Sequence, residues 1–184
     1  TAEDTVLFLI SGGGSALFEL PFVPEEELRS VTQQLLASGA DITETNTVRK
    51  RLSAVKGGKF AALCAPAHVF SIVLSDVLGD RLDMIASGPA APDHSTAEDA
   101  RRIAEKYALR LSAQTQALLS APPAPFPGNV ETRITGSVRQ LCLAAAERCR
   151  ALGFTPHILT DCLSCTARDA GAFLAAIAHT HYRD

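Results

Sequence analysis

The sequence has little net charge and no dense run of lysine and arginine. Its formal net charge is −3 over 184 residues, and 20% of the residues are charged. A protein that attracts nucleic acid through its overall field carries an excess of positive charge. The composition therefore argues against nucleic acid as a partner.

A long apolar run and a signal-peptide pattern are also missing. Hydrophobic residues make up 47% of the chain, yet no apolar stretch is long enough to span a bilayer. This balance of apolar and charged residues is typical of a globular protein that buries a sizeable core. We therefore expect a globular protein without a membrane partner, located in the cytoplasm.

Cysteine occurs in a number that does not suggest a disulfide framework. There are five cysteines, and an odd count argues against complete pairing. Cys162 and Cys165 form a CxxC motif, without the second CxxC or His pair that would complete a zinc site. Free thiols in a reducing cytosol are the simpler interpretation, and a redox role for this pair is the alternative.

Neither common nucleotide-binding fingerprint is present. The glycine-rich stretch does not complete GxGxxG, because Leu17 stands at the last glycine position. Residues 56–59 read Lys-Gly-Gly-Lys, which is not a Walker A motif. The histidines also show no spacing that indicates a metal site or a catalytic triad.

The clearest positive feature is a predicted strand followed by three consecutive glycines. Residues Thr5–Ile10 are uncharged and rich in β-branched and aromatic side chains, which predicts a strand buried on both faces. The residues that follow are Ser11, Gly12, Gly13, Gly14 and Ser15. Because glycine allows φ > 0 and close approach, backbone N–H groups here can converge on a phosphate or carboxylate. A plain tight turn is the alternative.

Predicted strands and helices alternate along the chain. The predicted strands are Thr5–Ile10, His68–Leu74, Glu131–Thr135 and Thr155–Thr160. The predicted helices begin near Pro24, Thr43, Lys59, Thr96, Ser112, Val138 and Thr166. A proline-rich stretch, 121–128, excludes regular structure between them. This alternation predicts βαβ crossovers and a mainly parallel sheet, which is an α/β fold.

The helix predicted from Thr43 to Lys56 has one polar face. At about 100° per residue, this face lies opposite Val48, Leu52 and Val55. It carries Asn46, Arg49, Lys50, Ser53 and Lys56. A solvated basic face is the plain interpretation. Beside an anion site, however, arginine and lysine can bind phosphate.

Asp76 follows the predicted strand His68–Leu74, where open α/β sheets place their ligands. A carboxylate near phosphate-binding groups is a common way to hold Mg²⁺. Asp80, four residues later, is a second candidate ligand. The alternative is that these aspartates only form turns.

Three segments together resemble one known family. They are 9–17, 46–58 and 74–89, which contain the glycine run, the cationic helix and Asp76 followed by Ile-Ala-Ser-Gly-Pro. In this order and spacing they resemble the glycerate 2-kinases that carry a MOFRL domain, some members of which are called hydroxypyruvate reductases. The resemblance implies a Rossmann-like three-layer sandwich, plus the start of a second α/β unit. It also implies ATP- and Mg²⁺-dependent phosphorylation of D-glycerate to 2-phosphoglycerate.

The same resemblance implies roles for individual residues. Lys56, Arg49 and Asp76 would be catalytic, and Asp76 and Asp80 would bind the metal. Phosphate and substrate would be bound by Ser11, Gly12, Gly13, Gly14, Ser15, Asn46, Lys50, Ser87 and Gly88. An NAD(P)H-dependent hydroxypyruvate reductase, another sugar-acid or sugar-phosphate enzyme, and a non-catalytic anion-binding module are the alternatives.

The resemblance also predicts the domain organisation. Residues 1–121 would form part of the N-terminal kinase domain, 122–128 a linker, and 129–184 a segment leading towards the C-terminal domain. Family members have further segments at both ends, and this chain begins with Thr1 rather than Met. We therefore expect a fragment with little activity alone, whose partners are D-glycerate and ATP. A homodimer is left open.

Overall fold

The computed structural model describes residues 1–182. The strands are β1 (Thr5–Ile10), β2 (His68–Leu74) and β3 (Val130–Gly136). The helices are α1 (Gly14–Leu17), α2 (Glu25–Ala37), α3 (Ile42–Leu52), α4 (Lys59–Cys64), α5 (Ala97–Lys106), α6 (Ala113–Ser120), α7 (Val138–Ala151) and α8 (Ala167–His181). None of these described helices has the length and apolar character needed to cross a membrane.

The three strands form one parallel sheet in the order β1-β2-β3. Thr5 pairs with His68 and Ile10 with Val73, so β1 and β2 end at the same edge. Because the strands are parallel, the segments that leave their carboxyl ends lie side by side. The predicted α/β fold with a mainly parallel sheet is confirmed.

Strand β1 is not buried on both faces, so this prediction was wrong. Its burial alternates along the strand, and Leu7 and Leu9 are 65% and 68% exposed. The opposite face is packed, since Phe8 contacts the rings of Phe18 and Phe60. The reason is that within the unit Thr1–Ser137 no element covers the face with Leu7 and Leu9.

A helical core forms beside the sheet. The buried apolar residues that pack together come from α2, α3, α5, α6 and the segment before α2: Val23, Leu28, Val31, Leu35, Val48, Leu52, Ala100, Ile103 and Leu119. Helix α3 begins with a capping box in which the Asp41 side chain accepts from the Glu44 backbone N–H. Thr96 and Asp99 form the same arrangement before α5. This core and these caps hold α3 in place behind the glycine-rich turn.

Helix α3 ends at Leu52 rather than continuing to Lys56, which corrects the predicted helix. Ser53 is extended and forms an antiparallel bridge with Pro21. The backbone N–H of Phe22 donates to the carbonyl of Leu52, and that of Ala54 donates to the carbonyl of Leu20. Because the chain leaves the helix to make these bonds, a helical projection cannot place Ser53 or Lys56.

The chain divides into two compact units, Thr1–Ser137 and the part from Val138 onwards. The first contains the whole sheet, including β3, which follows the proline-rich stretch. The second contains α7 and α8. Residues 155–160 between these helices form no strand, contrary to prediction, because the described residues of their own unit contain no other strand that could supply ladder hydrogen bonds. The predicted domain limits at 121 and 129 stay a prediction.

Candidate functional site

The glycine-rich turn leaves the carboxyl end of β1 and begins α1. Gly13 has φ = 84°, which favours glycine. The N–H of Gly14 donates to the Ser11 carbonyl at 3.4 Å, and that of Ala16 donates to the Gly13 carbonyl at 3.2 Å. Ser11, Gly12 and Gly13 are exposed. The turn is therefore open to a ligand at the edge of the sheet.

Asp76 lies directly against this turn. A Cβ atom placed on Gly12 would stand 2.3 Å from Oδ2 of Asp76 and 3.0 Å from its Cγ. The missing side chain of Gly12 is thus what allows the carboxylate to approach the backbone. Because β1 and β2 are adjacent and parallel, the turn and Asp76 meet as their positions in the sequence predicted.

Three buried or half-buried polar side chains link the turn to the loop after β2. The hydroxyl oxygens of Ser15 and Ser87 are 2.9 Å apart, and the Ser87 hydroxyl donates to Oδ1 of Asn46 at 3.0 Å. Ser87 and Asn46 are 0% and 1% exposed. The structure therefore brings Ser15, Ser87 and Asn46 together.

The backbone of this loop is strained. Ala86 and Ser87 have φ values of 51° and 63°, and Gly88 follows at 66°. Non-glycine residues in the left-handed region cost free energy, and such strain is concentrated at functional sites. Here the strained segment packs against α1, since a Cβ on Gly14 would lie 3.0 Å from that of Ala86.

Two cations lie behind the turn. Arg49 Nη2 donates to the carbonyl of Ser15 at 2.9 Å, while Lys56 Nζ donates to the carbonyls of Ser15 and Phe18, each at 2.8 Å. Lys56 is fully buried. Burial lowers its pKa from the ordinary value; nearby Glu19 opposes this effect and Arg49 adds to it. Lys56 therefore supports the turn from inside the protein.

Lys50 points to a different part of the structure. Its Nζ lies 3.3 Å from Asp93 and 3.8 Å from Asp83, and its side chain is 2% exposed. The polar residues predicted to share one face of α3 therefore lie in two different places. Asn46 and Arg49 approach Ser15 and its neighbours, whereas Lys50 is enclosed between two carboxylates. A role for Lys50 in phosphate binding stays a prediction.

Asp80 stands in a tight turn after Asp76. Its φ is 52°, and its Oδ1 is buried without a hydrogen-bond partner among the described residues. Within residues 1–182 no three His, Cys, Asp or Glu side chains form a metal cluster. Mg²⁺ in phosphoryl-transfer sites needs only one or two carboxylates, together with phosphates and water. Asp76 and Asp80 are compatible with that type of site.

A cavity of about 480 Å³ lies elsewhere, between α3, α5 and the loop near Asp83. Its charged groups already pair with one another: Lys106 with Glu44, Arg102 with Asp99 and Arg81 with Asp83. A charged ligand there would have to break these pairs. The glycine-rich turn is the better candidate, because its backbone is exposed and a carboxylate stands beside it.

Sequence reasoning missed Glu19, which lies between Arg49 and Lys56. Its Oε2 is 3.6 Å from Arg49 Nη2 and 3.5 Å from Lys56 Nζ. The available signal was a single acidic residue inside an otherwise uncharged stretch, 16–23. It also missed Asp83 and Asp93, the partners of Lys50.

Comparison with known proteins gives consistent results. A family model described as a domain of unknown function (DUF4147) matches residues 1–120. A D-glycerate 2-kinase of Thermotoga maritima is 52% identical over 95% of this chain and 42% of the relative. A human glycerate kinase is 40% identical over 97% of this chain and 36% of the relative.

A solved structure is also similar. The crystal structure of a glycerate kinase from Thermotoga maritima has a TM-score of 0.87 and 51% identity, covering 96% of this chain and 43% of that chain. The present chain spans less than half the length of these relatives.

Proposed function

The chain belongs to the DUF4147 family. Because the Thermotoga maritima and human relatives that match nearly its whole length are glycerate kinases, we propose that the complete protein is a glycerate 2-kinase. It would transfer a phosphoryl group from ATP to D-glycerate and form 2-phosphoglycerate. This chain would supply one wall of the cleft, and we expect it to have little activity alone.

The observation that supports this proposal best is the contact between Gly12 and Asp76. An exposed turn rich in backbone donors is suited to a phosphate, and a carboxylate at the same edge of the sheet is suited to a metal or a hydroxyl group. Phosphoryl transfer depends mainly on positioning and on neutralising charge. These groups can supply both.

Each residue can be given a role that agrees with its contacts. The backbone from Ser11 to Ser15 would hold a phosphate group, with Ser87 and Asn46 fixing the Ser15 hydroxyl. Arg49 would hold the end of the turn from its inner side, because its Nη2 donates to the Ser15 carbonyl. Lys56 would act through the Ser15 and Phe18 carbonyls that it holds.

The metal would be held by Asp76 and Asp80. Asp80 Oδ1 has no partner among the described residues, and Asp76 stands beside the proposed phosphate position. When bound, Mg²⁺ would neutralise phosphate charge. The carboxylate of Asp76 would hold its position by its contact with Gly12.

The proposal is tested with the complete protein. We expect ADP formation that requires both D-glycerate and Mg²⁺, with no NADH oxidation when hydroxypyruvate is offered. NADH oxidation would favour the reductase. Binding of ATP or phosphate, seen as a thermal shift without turnover, would favour a non-catalytic anion-binding module.

Replacing Gly12 by alanine is expected to reduce activity while leaving stability almost unchanged. The added Cβ would overlap Asp76 Oδ2, and this exposed carboxylate can move away at little cost to the fold. A displacement of about 1 Å at a reacting group can cost about 100-fold in rate. We expect kcat/KM to fall by about 10- to 100-fold, measured together with the thermal midpoint.

Gly171→Ala is the matched control, because a Cβ at Gly171 on α8 meets no atom of residues 1–182 within 4 Å. It should keep full activity. If Gly12→Ala is as active as this control, Asp76 does not need its observed position.

We further propose a reducing compartment such as the cytoplasm. Cys64, Cys142, Cys149 and Cys165 are free thiols in the structure, and Cys165 is exposed. Free exposed thiols are stable where the cell keeps cysteine reduced. D-Glycerate and ATP would be the partners of the complete protein.

A further inference from the structure

Glu19 is a half-buried carboxylate behind the glycine-rich turn. It follows α1, and its side chain is 14% exposed. Oε1 accepts a hydrogen bond from the backbone N–H of Leu20 at 3.1 Å. Oε2 is buried and accepts no hydrogen bond within residues 1–182, although Arg49 and Lys56 lie 3.5 to 3.6 Å away. Its negative charge therefore acts on these two cations.

Without Glu19, two positive charges would meet at one carbonyl oxygen. Arg49 and Lys56 both donate to the carbonyl of Ser15, and Lys56 has no contact with solvent. Burial and a neighbouring like charge both favour loss of a proton from lysine. Within residues 1–182, Glu19 forms a salt bridge with Lys56. Its negative charge therefore opposes the loss of a proton from Lys56.

The charge of Lys56 matters for the turn. As an ammonium group, Lys56 has three donors and forms charge-assisted hydrogen bonds. Two of these bonds hold the carbonyl of Ser15, within α1, and the carbonyl of Phe18, directly after α1. A neutral amine would hold them more weakly, and the end of the glycine-rich turn would lose part of its support.

We propose that Glu19 is a positioning residue: it keeps Lys56 charged, and thereby holds the glycine-rich turn in the geometry that receives a phosphate group. The identity of the ligand rests on the proposed function. Glu19 itself does not contact the phosphate in this arrangement, because it lies on the inner side of the turn with both cations.

Few charged groups face Lys56. Glu19 approaches from the segment after α1, and Arg49 from α3. From α4, Lys59 Nζ donates to the Lys56 carbonyl at 3.4 Å. Replacing Glu19 by glutamine would leave two cations and no carboxylate in this group.

The test is the pH dependence of kcat/KM in the complete protein carrying Glu19→Gln. We expect the alkaline loss of activity to move to lower pH by about 1 pH unit or more, because Lys56 loses the opposite charge beside it. Glu19→Asp should restore most of the wild-type profile. A residue with only a packing role would lower activity by the same factor at every pH. If the pH profiles of wild type and Glu19→Gln, scaled to the same maximum, coincide on the alkaline side, the proposal is wrong.

A second measurement does not depend on catalysis. Where the folded protein binds fewer protons than the unfolded chain, stability rises with pH. The pKa of Lys56 is lowered in the folded protein, so stability should rise over the pH range between this lowered pKa and the ordinary lysine pKa. Removing Glu19 should lower the folded-state pKa further. The thermal midpoint of Glu19→Gln should therefore begin to rise at a lower pH than that of wild type.

The two measurements separate the two proposals. An inactive wild-type protein whose Glu19→Gln variant shows the shifted stability curve contradicts the kinase but keeps the link between Glu19 and Lys56. An active kinase with unshifted curves contradicts the role of Glu19. If Glu19→Gln does not fold, Glu19→Ala, which also removes the carboxylate, is measured instead, and unshifted curves overturn the proposal. Glu25→Gln, at an exposed pair with Arg29 on α2, is the control and should leave both curves unchanged.

Discussion

Asp76→Asn is expected to lower kcat of the complete protein by about 10²- to 10³-fold with the fold intact. Asparagine keeps the shape of the side chain, so it can occupy the same space beside Gly12. It removes the negative charge that would hold Mg²⁺ or orient the substrate hydroxyl group. Because Asp76 is exposed at the end of β2, the loss should appear in activity rather than in stability.

The measurement is kcat at saturating ATP and D-glycerate, repeated over a range of Mg²⁺ concentrations. Half-maximal activity should need more Mg²⁺ in the variant if Asp76 is a ligand, whereas a role in orienting the hydroxyl would lower kcat alone. Glu98→Gln removes an exposed carboxylate on α5 and should behave as wild type. An Asp76→Asn protein with full turnover would remove Asp76 from the site.

The sequence was sufficient to predict which edge of the sheet carries the candidate site. Uncharged β-branched runs located β1 and β2, and the alternation of strands and helices predicted that they are parallel. From this alone Asp76 had to lie near the glycine run. The resemblance to glycerate 2-kinases, which three motifs carried, is confirmed by relatives at 40% to 52% identity.

The arrangement of the cations could not be predicted in the same way. A helical projection assumes that the helix continues, but Ser53 leaves α3 to pair with Pro21. Lys56 consequently reaches the Ser15 and Phe18 carbonyls from a loop. Contacts of this type join residues about 40 positions apart and have no periodic signal in the sequence.

The burial of individual side chains could not be predicted from the sequence either. The apolar run in β1 predicted cover on both faces, yet Leu7 and Leu9 are exposed. Conversely, Lys50 and Lys56 belong to a residue type that is almost never fully buried without a partner. Their partners are carboxylates and carbonyls from other segments, so their burial depends on the tertiary fold.

Lys50→Met is expected to give the largest loss of stability. Lys50 is enclosed between Asp93, which is 5% exposed, and Asp83, which is 19% exposed. Removing one partner from a buried ion pair costs about 3 to 5 kcal/mol, because the remaining charge stays buried without compensation. Methionine has nearly the same length and helix propensity as lysine, so α3 itself is little affected.

The lower end of this range is the better estimate, because both carboxylates keep other hydrogen bonds. Ser95 donates to Asp93 through its N–H and its hydroxyl, and Arg81 donates to Asp83. We therefore expect a decrease of about 3 kcal/mol in the free energy of unfolding, measured by urea denaturation. Lys106→Met removes an exposed lysine from its pair with the half-buried Glu44, and it should shift the urea midpoint much less. Equal shifts in the two variants would mean that the enclosed position of Lys50 contributes nothing beyond a surface ion pair.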